Sequence, residues 1–331
     1  MTTYTPVLPQ PAQSPGAASK KKSLWRQIVD NRWVYLFVTP WLILTIVFGW
    51  YPMPASIQIA FYKWKGFGEL TTFVGLAHFE NILKDKFFWQ AVKNAIHYTV
   101  ALVPVQLSLS LLLALVLNNP KLRLAGLFRA GFFIPVVCSV VVLGVPFKIM
   151  VRNAIELVPQ LLVDAGWIRP SLGFLMDPRW AMWVIIIFGI WQTFGYNLVF
   201  FLAALQSVPQ EIYEAATVDG AGWFTKTWYI TLPMIRPMAV IIVLMALLGS
   251  MRVFDGVMAL TDGGPMFATE VPQTYIYHHS FTPPQGSTFR PDLGYASAAS
   301  IIYSLILLVL TVAQVLLVAR AKTARREMGL G

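Results

Sequence analysis

The sequence predicts an all-α integral membrane protein of six transmembrane helices, with a short polar helix inserted between the fourth and fifth. Three observations predict it. The 331 residues are 57% hydrophobic and only 12% charged, with a mean hydropathy of +0.63, which makes lipid the main solvent. Six apolar runs, near 34–53, 95–117, 129–147, 180–205, 237–258 and 298–319, reach the roughly 20 residues that a hydrocarbon core of about 30 Å requires. Between the fourth and fifth runs stands "EIYEAATVDGAGWFTKTWYITLP", which has the composition of a soluble helix pair.

Taken in order, residues 1–23 are rich in Pro, Ser, Ala and Gln and predict a disordered tail that ends in the basic anchor Lys20, Lys21 and Lys22. The first run resembles a secretory signal at its basic start, but it is too long and ends in "GWYPMP" rather than a small-residue cleavage site. It is therefore expected to be an uncleaved span. Residues 54–93 alternate aromatics with polar turns, as a compact cap on the membrane surface would, with Trp64, Phe67 and Trp89 as interfacial packing. Cys138, the single cysteine, lies in the third run; it excludes an intrachain disulfide and is expected to be a small core residue. The piece "YIYHHSFTPPQGSTFRPDLG" is expected to be a loop over the outer mouth, since Pro283, Pro284, Gly286 and Pro291 break helices. Residues 24–325 thus form one transmembrane domain, with the polar stretch at 206–236 and a short cytoplasmic end at 326–331.

Orientation follows from the retention of positive charge on the cytoplasmic side. With the N-terminus inside, the inner segments hold more than half of the 25 Lys and Arg but only a third of the 15 Asp and Glu. Both termini and the polar stretch are then cytoplasmic, and anionic headgroups account for the net charge of +10 without any nucleic acid.

Polar residues inside spans are informative because each is costly in hydrocarbon. In the fourth run, Gln192, Thr193, Tyr196 and Asn197 fall at i, i+1, i+4 and i+5 on one helix face. That face predicts either a water-filled or ligand-lined cavity or interhelical hydrogen bonding. Ser297, Ser300, Ser304 and Thr311 form a narrow stripe in the sixth run, read as close helix packing. Arg252 and Asp255 at the outer end of the fifth run make an ion pair or headgroup contact, or else a gate or substrate contact.

The polar stretch begins as a helix. Pro209 stands at its entry, Glu211 and Glu214 favour the positive end of the helix dipole, and Ala215 and Ala216 are strong helix formers. Gly220 and Gly222 interrupt it. A second short amphipathic piece, "WFTKTWYI", is expected to stop at Leu232-Pro233 before the next span begins near Pro237. Such a knob either lies in the membrane interface or docks in a groove of a soluble partner and passes its movement to the spans.

At these residues the sequence resembles a family. Glu214-Ala215-Ala216, three residues, Gly220, nine residues, Ile230, one residue and Leu232, followed by Pro233, is similar to the "EAA" signature of permease subunits of binding-protein-dependent ABC importers. "FVGLAHFENIL", "LFRAGFFIP", "VFDGVMALTDGGP" and "DLGYASAAS" resemble segments of its carbohydrate-uptake branch, close to maltose- and glycerol-phosphate-type inner-membrane subunits. The resemblance implies a six-span subunit paired with a second, homologous permease, two copies of a cytoplasmic ATPase and an extracytoplasmic solute-binding protein. It also implies that Glu214, Ala215, Ala216, Asp219, Gly220, Ile230, Leu232 and Pro233 form the coupling element at the ATPase, with Glu214 facing a basic residue there. Asp219 is expected to cap or bend the turn. The chain itself would bind no cofactor; ATP and Mg would belong to the partner ATPase.

Two other classes compete. The chain lacks GxxxxGK[ST], HExxH and GxSxG, so no nucleotide, zinc or serine-hydrolase site is signalled, and His278 and His279 have no third metal ligand at useful spacing. A self-sufficient secondary carrier or channel would leave the polar stretch without a purpose. The expected function is half of the translocation path for a carbohydrate at the bacterial or archaeal inner membrane, with Gln192, Tyr196, Asn197, Arg252 and Asp255 lining the path. Sugars suit such a lining, because hydroxyls take many donors and acceptors while aromatic faces cover the ring.

Overall fold

The computed structural model describes residues 32–119, 122–154, 163–164, 166, 173–283 and 290–327. The expected tail at 1–23 and all but two residues of the 326–331 end lie outside the described residues. Among the described residues thirteen α-helices follow one another: α1 (Arg32–Leu44), α2 (Pro52–Ile59), α3 (Ala77–Lys84), α4 (Lys86–Leu117), α5 (Ala125–Val137), α6 (Val140–Ala154), α7 (Ala181–Gln206), α8 (Gln210–Val218), α9 (Trp223–Lys226), α10 (Leu232–Met251), α11 (Asp255–Leu260), α12 (Pro272–Ser280) and α13 (Leu293–Glu327). π-Helical turns at Thr45–Trp50 and Thr227–Thr231 adjoin α1 and α10. The strands are a two-residue antiparallel ribbon, β1 (Tyr62–Lys63) and β2 (Thr72–Phe73), in which Tyr62 faces Phe73.

The chain divides into two compact units, Met1–Ala55 and Ser56–Gly331. The first carries α1 and its π turn, with Trp33, Phe37, Trp41 and Phe48 exposed, as a span solvated by lipid requires. The second holds the core, in which α4 packs along α7 and both receive α5 and α10. Tyr98, Leu102, Ile185, Phe188, Leu198 and Phe201 fill the α4–α7 seam. Gly195 allows a close approach of α7 to α5: a Cβ there would clash with the backbone carbonyl oxygen of Phe132. Small residues at such crossings let backbones touch where lipid supplies no hydrophobic force between helices.

A second cluster ties α3, α4, α12 and α13 together around Ile82, Phe88, Tyr275 and Tyr303. Asp85 anchors it. One oxygen caps α4 by accepting the N–H of Phe87 at 2.8 Å, and the other accepts the hydroxyls of Tyr275 at 2.5 Å and Tyr295 at 3.2 Å. Trp64 and Trp89 each donate their indole N–H to a nearby carbonyl, while Phe67 is almost wholly exposed.

Among the described residues, five helices are long and apolar enough to cross a membrane, and six if a bent pair counts as one span. The third apolar run is that pair: α5 and α6 meet at 99° across Cys138 and Ser139. Pro135 removes a donor within the last turn of α5, and Cys138 is extended, so the helix cannot continue.

The fifth run also differs. One continuous helical stretch runs from Trp223 to Met251, and it breaks at Arg252–Phe254 before α11. The expected stop at Leu232-Pro233 does not occur. Pro233 lies in the first turn of α10, and the wider π turn before it leaves room for a ring that an α-helical turn would reject.

The expected outer loop at 275–294 is helical in its first part, since Tyr275–Ser280 belongs to α12. Pro272 starts that helix, and the Thr274 hydroxyl accepts the N–H of Val271 at 3.0 Å, so the prolines act only after Ser280. Pro284 and Gly286 lie outside the described residues. On α13 Gly294, Ala296, Ala298, Ala299 and Tyr303 are buried, whereas Ser304 is exposed.

Candidate functional site

Two regions contain the residues that the sequence singles out, one at each end of α10. The first is α8 and the turn after it. Pro209 is the N-cap, Glu211 lies in the exposed first turn, and Gln210 Nε2 donates to Glu214 Oε1 at 2.9 Å. Glu214 and Ala215 are exposed, and Ala216 is buried.

The helix ends in a Schellman turn. Gly220 N–H donates to Thr217 O at 3.1 Å and Ala221 N–H to Ala216 O at 2.9 Å, with Gly220 at φ +76°. A Cβ at Gly220 would meet nothing within 4 Å, so glycine is required there by backbone conformation and not by crowding. Asp219 occupies the C-cap position at negative φ, its backbone N–H donating to Ala215 O at 3.1 Å, and the positive φ of the turn belongs to Gly220.

Two contacts fold α8 back onto the start of the next span. Lys226 Nζ donates to Thr217 Oγ1 at 2.6 Å, and the Tyr213 hydroxyl lies 3.0 Å from Thr231 Oγ1. Ile230 and Leu232 are half-buried and Pro233 is exposed. Trp223, Phe224, Trp228 and Tyr229 are exposed around this base, a grouping typical of a membrane interface.

The second region is a cavity of about 270 Å³ at the other end of α10. All of Gln192, Tyr196, Asn197, Arg252 and Asp255 line it, together with Thr193. α7 brings the first group on one face, as the i, i+4 spacing predicts. Arg252 and Asp255 arrive for a different reason: the break after Met251 turns the chain inward, and its last carbonyl accepts the hydroxyl of Tyr303. Neither Arg252 nor Asp255 forms an ion pair among the described residues, and both are exposed.

Sequence reasoning missed the wall supplied by α4, where Tyr98, Leu102 and Gln106 face the cavity. A signal was present. Asn94, Tyr98, Gln106 and Ser110 repeat at multiples of four, and all are buried. Phe188 and Phe254 add apolar surface.

Beyond α11, the segment Asp262–Val271 is held by its own polar side chains. Asn94 Nδ2 donates to the carbonyls of Ala268 at 3.1 Å and Glu270 at 2.8 Å. His278 is buried, with Nδ1 2.9 Å from Glu270 Oε1 and Nε2 3.1 Å from Asp262 Oδ1. Burial opposes its charge, but the hydrogen bonds and charges of Glu270 and Asp262 outweigh that and raise its pKa above the usual histidine value. His279 is shifted the other way, chiefly by burial, and its Nδ1 faces the carbonyl of Tyr275 at 2.8 Å. No three acidic, His or Cys side chains gather as a metal site among the described residues.

Comparison with known proteins adds a third line. Residues 17–323 match the family described as binding-protein-dependent transport system inner membrane component. The lactose transport system permease protein LacF of Rhizobium radiobacter is 36% identical over 90% of this chain and 97% of its own. The arabinooligosaccharides transport system permease protein AraP of Halalkalibacterium halodurans is 29% identical over 87% of this chain and 88% of its own. Among solved structures, a bacterial ABC transporter involved in the import of the acidic polysaccharide alginate has a chain that superposes with a TM-score of 0.72. It covers 90% of this chain and 98% of that one at 24% identity, and so bears on fold. The same kind of transporter has been solved with an alginate pentasaccharide-bound periplasmic protein, at a TM-score of 0.69.

Proposed function

Because the chain belongs to the family of binding-protein-dependent transport system inner membrane components, we propose that it forms half of the path by which an ATP-driven importer carries a carbohydrate inward. The coarser statement follows from the family and its relatives: this is a multi-pass permease subunit of a sugar ABC transporter in the inner membrane. The finer reading has four parts. The chain pairs with a second, homologous permease. Two ATPase subunits, which hold ATP and Mg, complete the complex, and α8 docks in the cleft of one of them. A solute-binding protein delivers the sugar from outside. Both chain termini face the cytoplasm.

One observation carries this reading. Five residues chosen for polarity, from two separate segments, line one cavity at the far end of α10 from α8. The lining mixes amides, a phenol, a guanidinium and a carboxylate with aromatic faces, which is the chemistry of a polyhydroxylated ring. α8 offers an exposed, stiff element whose contacts with a partner can differ between two states of the path, as coupling requires.

The experiment is ATPase activity and sugar uptake by the complete complex in proteoliposomes. Loaded binding protein is expected to stimulate hydrolysis, and Glu214→Ala to abolish the stimulation. Asn197→Ala and Tyr196→Ala are expected to reduce uptake. Stimulation that survives Glu214→Ala, or uptake unchanged by both cavity variants, would show the assignment of that region to be wrong.

A further inference from the structure

We propose that α4 supplies a hydroxyl-reading subsite to the cavity, made by the phenol of Tyr98 and the side-chain amide of Gln106, with Gly189 as the notch that admits the phenol. The proposal rests on the reading of the cavity as a sugar path. Tyr98 is 5% exposed and Gln106 3%, yet both line the cavity. The Tyr98 hydroxyl has no hydrogen-bond partner among the described residues. It rests against α7 where a Cβ on Gly189 would meet it at 2.2 Å. Gln106 Oε1 lies 2.5 Å from Thr193 Oγ1, and its Nε2 has no partner among the described residues.

The Tyr98 hydroxyl and Gln106 Nε2 keep contact with the open space of the cavity, so each is free to pair with what enters it. Tyr98 and Gln106 stand two helical turns, about 12 Å, apart along α4, a separation that fits hydroxyls on adjacent units of an oligosaccharide and not two on one ring. The α7 and α10 sides of the cavity then face the opposite side of the same sugar. The notch is part of the device: any side chain at 189 would push the phenol out of line.

The test uses the complete complex in proteoliposomes with its binding protein and labelled glucose, lactose and raffinose, then the monodeoxy analogues of whichever sugar enters fastest. In Tyr98→Phe the parent sugar is expected to lose about tenfold in uptake efficiency, while one deoxy analogue, lacking the hydroxyl that Tyr98 reads, keeps its wild-type rate. Gln106→Met is expected to spare a different analogue. Uptake unchanged in both variants, or lowered alike for parent and all analogues, overturns the subsite and leaves the importer reading standing. Wild-type uptake of none of the three sugars overturns the importer reading, and the subsite with it.

Discussion

The turn at Gly220 is completed by residues 215–221 alone, whereas the cavity needs side chains from α4, α6, α7, α10 and the link before α11. One is local; the other is assembled from distant segments. A short contiguous pattern therefore announces the first, while the second exists only once distant helices have packed. The comparison also separates two kinds of failure: damage at the turn stays at the turn, and damage at the cavity spreads through the helix seams that form it.

The largest expected effect breaks the assembled region. Gly195→Leu drives a side chain into the backbone of α5, where no rotamer change relieves it, and is expected to destabilise the α5–α7 seam by about 3 kcal/mol. Loss of the folded subunit, read by thermal denaturation in detergent, checks it. Equal stability in this variant would mean that the seam does not hold the cavity.

Next comes the local region. Gly220→Val forces a β-branched residue to a positive φ, costing about 1–2 kcal/mol at the turn, with nothing nearby to clash. The subunit is expected to fold, retain the cavity and lose stimulated ATPase activity. A fall in global stability as large as that of Gly195→Leu would erase the distinction between the regions.

A third prediction sharpens the comparison by pH. The folded pKa of His278 lies above its unfolded value of about 6.5, so its contribution to stability is fully present below that value. It is lost as pH rises through the folded pKa. The groups facing the ring are Glu270 and Asp262, with Tyr277 and His279 beside it. Intrinsic-rate-corrected hydrogen exchange over 261–280 is expected to speed up with rising pH, while α8 does not respond. In His278→Gln that dependence should vanish.

The smallest effect is at Glu211. Replacing it by Gln removes a charge from the exposed first turn of α8 and is expected to cost less than about 1 kcal/mol, visible only as faster exchange in that turn.

The same contrast explains what the sequence made legible. Hydropathy alone locates the spans, because lipid demands about 20 apolar residues whatever their partners. It does not show that the third run bends or that the fifth begins at Trp223, since both depend on how a proline is accommodated by the turn before it. The prolines near 284 were read as dissolving a segment whose start is a capped helix, because the Thr274 cap outweighs breakers ten residues away. At the cavity, Gln192, Tyr196 and Asn197 were readable as one face of one helix. Tyr98 and Gln106 were not singled out, although their repeat is as regular, because a buried polar stripe serves helix packing just as well until a cavity opens beside it.

The bend between α5 and α6 has one more consequence. Neither half, at about 20 Å and 22 Å of helix, crosses a bilayer alone; Cys138 N–H and the Ser139 carbonyl still pair with Ile134 O and Leu143 N–H, but the Cys138 carbonyl and Ser139 N–H between them have no backbone partner among the described residues and open at membrane depth. Hydrocarbon does not tolerate such groups, whereas a water-filled space does, and Val140, immediately beyond the bend, lines the cavity. A break at that depth is compatible with a cavity that admits water. Under the proposed function, each polar contact of a sugar there would replace one to water, so the net gain per contact would be small and release as easy as capture.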